Sequence, residues 1–377
     1  MFDIKSIKVE AQNVEVNSAM KKTQPKNEGV EIFSAICTGK DLSRYGKKVD
    51  SVMAYMTNLG QKAVDGDIQA KAEINAIRTL MIEAPLVKRL NIFDFMGEKI
   101  SVGFDEEVRF KVYQLQGTKS STQANSGSFP FATYNWRTQV MDEFKTITGG
   151  ILVDYREVAS GNTDAINVAN EQVITDMLNQ MFYQVLVAYY NGIKGATSLK
   201  NFVEASGITK SALDAVIKKA RRFGNLTITG DYSVVSQLED FVGFTTTTNT
   251  VQFSEAVMEE IRKTGMLKFY RGLGVVEIPN TYNLTELNSG ADFFETYLPE
   301  GLLLVLPTGA ISPLKIGVKG GLTSLSATDI NLKSEVTRFD MEFGTELIKE
   351  YKSFGGIICV VSHSESEQIA RGYMLNC

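Results

Sequence analysis

The sequence predicts an α+β fold that combines a long β-hairpin, a long helix and a separate unit of alternating helices and strands. Three patterns predict it. Apolar and polar residues alternate on both sides of a polar stretch at residues 114–129, QLQGTKSSTQANSGSF. Apolar residues recur at steps of three and four over residues 163–192. Helical patterns alternate with apolar runs such as GLLLVLPTGA over residues 206–325.

The chain begins with a polar stretch and continues with a helical one. Residues 1–48 show no sustained period, and two short apolar pieces, IKSIKV and VEIFSAIC, interrupt them. They are interpreted either as a flexible tail or as an arm that lies on a neighbouring molecule, and both interpretations remain open. Residues 49–95 have helical spacing, and Pro85 is expected to end or kink that stretch.

Residues 96–145 are predicted to form the hairpin. One strand pattern has apolar residues at 100, 102, 104, 108, 110 and 112, and the returning pattern places residues 132, 134, 136, 138 and 140 on one face. With about a dozen residues on each side, the hairpin could reach ~40 Å. An isolated ribbon of two strands is marginally stable in water. Its apolar face, on which the alternation places Trp136, must therefore be covered from outside the ribbon.

The long helix is predicted between Thr163, near the capping position, and Gly192, which is expected to stop it. Its ~28 residues would span ~42 Å. From Thr337 the pattern alternates again, with one face made of Thr337, Phe339, Met341 and Phe343, and the last strong strand is GGIICVV. These extended features leave hydrophobic surface that one chain cannot cover. They predict a subunit of a large homo-oligomer.

Residues with catalytic or metal-binding chemistry are sparse. The only histidine, His363, excludes multi-histidine metal sites and is interpreted as a surface residue. The stretches GTKS (117–120), GLG (272–274) and GVKGG (317–321) only resemble phosphate loops and are interpreted as turns. The acidic groups at 105–107 and at 340 and 342 are expected to be solvated. We therefore predict a protein that is not an enzyme and has no cofactor or metal.

Composition limits the remaining classes. The net charge of −5 and the pI near 5.3 argue against a dedicated nucleic-acid binder, and the basic run KKARRF (218–223) is interpreted as a solvated surface. Cys37, Cys359 and Cys377 lie far apart, which suits a reducing compartment and excludes a disulfide scaffold. Neither a membrane-spanning run nor a signal peptide is present, so a soluble protein made in the cytoplasm is expected.

The order of these elements resembles the major capsid proteins of tailed bacteriophages of the Hong Kong 97 type. Two stretches are similar to the family locally: KTGMLKFYRGLGVVEIPNTYN, a helix, a turn and a buried strand that ends near proline, and TRFDMEFGTELIKEYKSFGGIICVV, the closing strands. The resemblance implies a structural protein whose hexamers and pentamers form an icosahedral or prolate shell around double-stranded DNA. The same fold forms encapsulin shells, so an encapsulin-like compartment that packages a cargo enzyme is the alternative.

The resemblance also implies domain roles. Residues 1–48 would be the N-terminal arm, 49–95 a helical segment of the peripheral region, and 96–145 the E-loop. Residues 146–205 would form the peripheral domain with its spine helix at 163–192, residues 206–325 the axial domain, and residues 326–377 the closing strands. The contacts between subunits would involve the E-loop tip and ribbon, namely Gln116, Lys119, Gln123, Asn125, Phe131, Tyr134 and Trp136.

The implied partners are other copies of the chain, a portal and decoration proteins, with non-specific contact to packaged DNA and none to a membrane. The short arm implies either a separate scaffolding protein or none. The expected location is the virion, after assembly in the host cytoplasm. Some relatives join their subunits by Lys–Asn crosslinks. Lys119 has the right residue type and place for one, although neither the asparagine nor the catalytic carboxylate is assigned.

Overall fold

A computed structural model describes residues 28–37, 40–114, 135–153, 155–161, 163–194, 199, 201–205, 207–240, 268–287, 294–308, 311–329 and 334–360. Helices and strands are mixed along the chain, which confirms the α+β class. Several predictions concern positions outside the described residues. These are the helix at the start of the stretch KTGMLKFYRGLGVVEIPNTYN, the GTKS stretch, His363 and six of the seven contact residues, Gln116, Lys119, Gln123, Asn125, Phe131 and Tyr134.

Three helices begin the described chain: α1 (Glu28–Cys37), α2 (Lys48–Val64) and α3 (Ile68–Arg89). Asp67 caps α3, because its carboxylate accepts hydrogen bonds from the backbone N–H groups of Gln69 and Ala70. The helix continues through Pro85, so this proline does not end it. Buried neighbours on both sides of the proline, including Ile82 and Leu86, hold the turn in place.

Helix α1 belongs to the core of its own chain, although it lies inside the segment predicted as a tail or arm. Val30, Ile32 and Phe33 are buried in a cluster shared with α2 and α3. The run VEIFSAIC supplies enough apolar area in ten residues of helix to favour packing over exposure. Because α1 has only ten residues, its apolar residues do not recur often enough to give a sustained helical period in the sequence.

The first large sheet has the order β1–β12–β13–β4. Its strands are β1 (Glu98–Val102), β4 (Lys145–Val153), β12 (Leu314–Asp329) and β13 (Ser334–Leu347). The alternation in β13 is confirmed, since Thr337, Phe339, Met341 and Phe343 are all buried. Strand β1 pairs in parallel with β12, so the prediction that residues 100–104 extend the hairpin is wrong. The exposed acidic bend at 105–107 separates β1 from the hairpin.

Helix α5 (Thr163–Lys194) crosses this sheet, after the short helix α4 (Tyr155–Ser160). Its 32 residues span ~48 Å. Met177, Met181 and Val185 are fully buried within the largest core cluster. The helix continues past Gly192, so the prediction that this glycine stops it is wrong. Glycine is needed there for packing, because a Cβ atom would overlap the side chain of Leu347.

The second large sheet has the order β5–β14–β11–β6–β8–β7. Its strands are β5 (Phe202–Ala205), β6 (Asn225–Gly230), β7 (Phe269–Tyr270), β8 (Leu273–Glu277), β11 (Leu302–Thr308) and β14 (Gly356–Val360). Helix α6 (Lys210–Ala220) buries Leu213 and Val216 against it, and the short helix α7 (Tyr232–Val235) follows β6. A separate pair is formed by β9 (Tyr282–Leu287) and β10 (Phe294–Thr296).

The sheets do not follow the domain limits expected from the sequence. Strands β5 and β14 join the second sheet from outside residues 206–325, and residue 325 falls within β12 of the first sheet. Cys359 in β14 is disulfide-bonded, which the scattered cysteines did not predict. The acidic positions 105–107 are exposed, as expected, and so are Lys218, Arg221 and Arg222 of the basic run.

The glycine-rich stretches have different roles. Arg271 and Gly272 both have positive φ, 52° and 76°, in the two-residue connection between β7 and β8, so the GLG stretch is a turn as predicted. The prediction of a turn at GVKGG is wrong. It lies inside β12, where the register with β13 shifts between Lys319 and Thr323. Gly320 has a φ of 71° at this bulge, and a Cβ atom there would overlap the ring of Phe104.

Glu83 of α3 lies beside this bulge and yields a prediction about stability. Burial raises the pKa of its carboxyl group, although the backbone N–H of Leu322 donates a hydrogen bond that lowers it. The folded chain therefore holds this proton more tightly than the unfolded chain and loses stability as the pH rises through the raised pKa. Glu83→Gln keeps an acceptor and removes the charge, so we expect a larger free energy of unfolding at pH 7 than in the wild type.

The gap between Glu83→Gln and the wild type should close below pH ~4, where the carboxyl group is protonated in both states. Denaturant titrations at pH 7 and at low pH measure it, with Glu342→Gln on the polar face of β13 as the matched control. A variant with a smaller free energy of unfolding than the wild type at pH 7 would show that the charge of Glu83 does not destabilise the folded chain.

Candidate assembly surface

The described part of the hairpin is a short two-stranded ribbon made of β2 (Arg109–Tyr113) and β3 (Trp136–Val140). The strands are antiparallel, and Phe110 and Val112 lie opposite Gln139 and Arg137. Residues directly opposite each other share a face of the ribbon. One face therefore carries these four residues, and the other carries Arg109, Lys111 and Tyr113 opposite Val140, Thr138 and Trp136.

The chain itself covers the first of these faces. Phe110 packs with Val108 and Met141, and Val112 packs with Tyr351 and other apolar residues of the segment 348–354. Phe110 and Val112 are each only 1% exposed. The expectation that other chains must cover the apolar face is therefore wrong for the base of the ribbon. The covering aromatic residues come from more than 200 positions further along the chain, so the local alternation could not reveal them.

Three pairs of residues form polar contacts between the ribbon and residues 346–351, which lie at the end of β13 and just after it. The hydroxyl of Tyr351 accepts a hydrogen bond from the backbone N–H of Tyr113 at 2.5 Å and donates to its carbonyl oxygen at 2.8 Å. Arg137 forms an ion pair of 2.9 Å with Glu350. The side-chain amide of Gln139 donates to Glu346, also at 2.9 Å. The ribbon base is therefore anchored at both strands.

The surroundings of this anchor shift the pKa of the Glu346 carboxyl group. Burial is the largest effect and raises the pKa of its carboxyl group, and the charges of Asp142 and Glu143 raise it further. The hydrogen bond from Gln139 and the charge of Arg137 lower it. The net shift is upward. Burial therefore makes this carboxyl group harder to ionise than a free one, and the contact with Gln139 partly offsets that effect.

Removing the hydroxyl of Tyr351 tests the anchor. In Tyr351→Phe the ring keeps its stacking on Phe354, whose centroid lies 5.3 Å away, but both backbone groups of Tyr113 lose their partner. We expect a loss of about 1–2 kcal/mol of unfolding free energy and faster amide exchange at Tyr113. Denaturation and hydrogen exchange measure the two effects. Tyr282→Phe, at an exposed tyrosine, is the control, and equal losses in both variants would refute the anchor.

Trp136 lies on the second face of the ribbon, and 52% of its surface is exposed. The ammonium group of Lys111 is 5.2 Å from the centroid of its ring. The prediction that Trp136 shares the apolar face is therefore wrong, because the strand register places it opposite Tyr113 and away from Phe110. Tryptophan is enriched among the residues that contribute most to protein–protein contacts. It is the one predicted contact residue that lies within the described residues.

Two cavities adjoin Glu98 of β1. A cavity of about 280 Å³ lies beside β2 and is lined by Glu98, Ile100, Arg109, Lys111, Tyr113, Ile311, Lys315 and Tyr351. A second, of about 330 Å³, adjoins Glu98 on the side of Asp94 and Ser312. Lys315 is buried and ion-paired with Glu98. In the part of the chain that the structure describes, no cluster of acidic, histidine or cysteine residues could hold a metal ion. Its helices are too short or too polar to span a membrane.

Comparison with known proteins identifies the family. A family model described as "SPbeta prophage-derived putative capsid protein YonB" matches residues 12–359. The chain belongs to this family. It is a capsid protein of phage origin, as the sequence predicted, and the match to a capsid family does not favour the encapsulin-like alternative. A search of curated proteins found no match.

Solved structures to which the chain is similar include three from phages, each at low sequence identity. The capsid of the cyanophage P-SCSP1u is 9% identical, with 72% of this chain and 88% of that chain covered and a TM-score of 0.41. Mycobacterium phage Bobi is 12% identical, with 71% and 89% covered and a TM-score of 0.44. The head of Helicobacter pylori bacteriophage KHP40 is 10% identical, with 72% and 91% covered and a TM-score of 0.42.

Proposed function

We propose that this chain is the major capsid protein of a tailed phage and has the Hong Kong 97 type of subunit. In this proposal its hexamers and pentamers form the icosahedral or prolate shell that encloses double-stranded DNA. The family match over residues 12–359 is the observation that carries it. The chain contains a two-stranded ribbon, a 32-residue helix and a central sheet. These elements are the ones expected from the resemblance to the capsid family, so they support the proposal.

The proposed roles of the parts follow from this function. The ribbon would be the base of the E-loop, α5 the spine helix of the peripheral domain, and α6 with the second sheet the centre of the axial domain. Because α1 packs on its own chain, the arm that contacts a neighbour would lie before Glu28. The contacts between subunits would be made by Trp136 and by the tip residues Gln116, Lys119, Gln123, Asn125, Phe131 and Tyr134.

We propose further that the chain has no catalytic activity and that it assembles in the host cytoplasm. A scaffolding protein, a portal and decoration proteins would be its partners, with non-specific contact to DNA. Sedimentation of the expressed protein tests the assembly, since shells sediment as particles of many subunits. Nucleic acid in purified particles would support a genome capsid. Copurified enzyme cargo, detected by mass spectrometry, would contradict it and favour a compartment.

Assembly should change the environment of Trp136, the only tryptophan of the chain. Its side chain is half-exposed in the subunit, so a neighbouring copy seated on this face would remove water from the indole ring. We expect the fluorescence emission to shift to shorter wavelength when subunits form shells. The measurement compares dissociated subunits with particles of the same preparation. An unchanged spectrum would count against the ribbon as a contact between subunits.

A further inference from the structure

The cavity of about 280 Å³ beside β2 is lined by more positive than negative charge. Its cations are Arg109 and Lys111 of the ribbon and Lys315 of the first sheet, and its single carboxylate belongs to Glu98. Three positive charges against one negative charge leave a net charge of +2 at neutral pH. The chain as a whole carries −5, so this excess is local. A cavity lined by charge of one sign concentrates ions of the opposite sign.

Lys315 is the buried cation of this cavity, and only 2% of its side chain is exposed. Its ammonium group lies 5.6 Å from the ring centroid of Phe110 and 6.0 Å from that of Tyr351. An ammonium group has three N–H donors. Within the described residues the carboxylate of Glu98 is its only hydrogen-bond partner. An anion in the cavity would therefore occupy donors of a buried charge that has lost its hydration.

The two cations of the ribbon are weakly engaged by the rest of the chain. Within the described residues Lys111 forms no ion pair, and its ammonium group lies over the ring of Trp136. Arg109 is paired with Glu107, and the exposed fractions of these two side chains are 65% and 61%. Exposed pairs of this kind contribute little to stability. Both cations can therefore turn to an anion in the cavity at small cost.

The size and charge of the cavity indicate the class of ligand. A phosphate monoester carries a charge of about −1.5 to −2 near pH 7 and three acceptor oxygens, which matches the lining better than the single charge of a carboxylate. A guanidinium group binds two phosphate oxygens at once. The volume lies near the lower end of the range for ligand pockets, which admits a small ester. Ile100 and Ile311 are the apolar side chains of the lining.

We infer that this cavity binds a small phosphate monoester, with the phosphate group between Arg109, Lys111 and Lys315. The organic group of the ester lies against Ile100 and Ile311. The site goes beyond the proposed function, because all of its residues belong to one subunit. A bound ester connects β2 to β12, so it stabilises the base of the ribbon against the first sheet.

Calorimetric titration of dissociated full-length subunits at constant ionic strength tests the inference. Phenyl phosphate is the probe, and benzoate is the matched ligand with the same ring and a single charge. We expect saturable binding of one phenyl phosphate per subunit and at least ~10-fold weaker binding of benzoate. Trp136 is the only tryptophan, and Lys111 lies over its ring, so its emission should change along the same saturation curve. Subunits that bind the probe but form no shells would contradict the proposed function alone.

Two variants locate the binding. Lys111→Gln and Arg109→Gln each remove one cation at an exposed position of the ribbon, so the subunit should stay folded. Each should bind phenyl phosphate at least ~10-fold more weakly than the wild type. Lys218→Gln removes the same charge from an exposed position of α6 outside the cavity, and its affinity should stay within ~2-fold of the wild type.

Four results would overturn the inference. They are the absence of saturable binding, wild-type affinity in Lys111→Gln or Arg109→Gln, an equal loss in Lys218→Gln, and benzoate binding as tight as that of phenyl phosphate. A DNA duplex offers phosphate groups too, but it is too wide for a cavity of about 280 Å³. Binding of a short duplex without binding of phenyl phosphate would therefore also overturn it.

Discussion

Replacing Phe93 with alanine is expected to lower the free energy of unfolding by about 3–5 kcal/mol. Phe93 lies in the short 3₁₀ helix Leu90–Asp94 that follows α3, and it is fully buried. Its ring centroid is 4.6 Å from that of Phe182 in α5 and 5.7 Å from that of Phe343 in β13. The substitution would leave a cavity where three parts of the chain meet, and the lost contacts together with the cavity lower the stability.

Phe269→Ala makes the same chemical change at a residue of β7 that is 65% exposed, and it is the matched control. We expect it to cost less than ~1 kcal/mol. Denaturant unfolding of dissociated subunits measures both variants. A loss at Phe93 no larger than the loss at Phe269 would mean that α5 and the first sheet do not share one core.

Replacing Trp136 with glutamate is expected to prevent shell formation and leave the subunit folded. Trp136 is half-exposed and does not belong to the core of its own chain, so the unfolding free energy should change by less than ~0.5 kcal/mol. The new carboxylate would lie beside Lys111, which favours the folded ribbon. A carboxylate buried at a contact between subunits, in contrast, loses its hydration. We expect the yield of shells to fall at least ~10-fold, because burying the charge is unfavourable at every such contact.

Trp136→Phe keeps an aromatic ring at the same position and is the control for this experiment. It should form shells in nearly wild-type yield. Electron microscopy and sedimentation measure the yield, and denaturation confirms that both variants are folded. Normal shells from Trp136→Glu would show that this face of the ribbon is not a contact between subunits, whatever the role of the tip.

Long, strongly periodic elements could be predicted from the sequence. The stripe that gave the long helix is a local property, and so is the alternation of Phe339, Met341 and Phe343 in β13. The pattern also showed that the GLG stretch is a turn. In each case neighbouring residues contain all of the information, because the period of the side chains sets which face is buried.

Pairing and close packing could not be predicted in this way. The sequence does not show that β1 joins β12, that Tyr351 covers the ribbon, or that Leu347 requires a glycine at position 192. Each depends on a residue far away along the chain. The face of Trp136 was misassigned for the same reason, since only the register with Tyr113 decides it. Its exposure and its proximity to Lys111 are what make it a candidate for contact.

Cryo-electron microscopy of the purified protein, expressed alone and with a scaffolding protein, tests whether the chain forms a capsid shell. We expect closed shells built from hexamers and pentamers, in which the ribbon of each subunit lies on a neighbouring copy. Compact monomers or dimers under every assembly condition would contradict it.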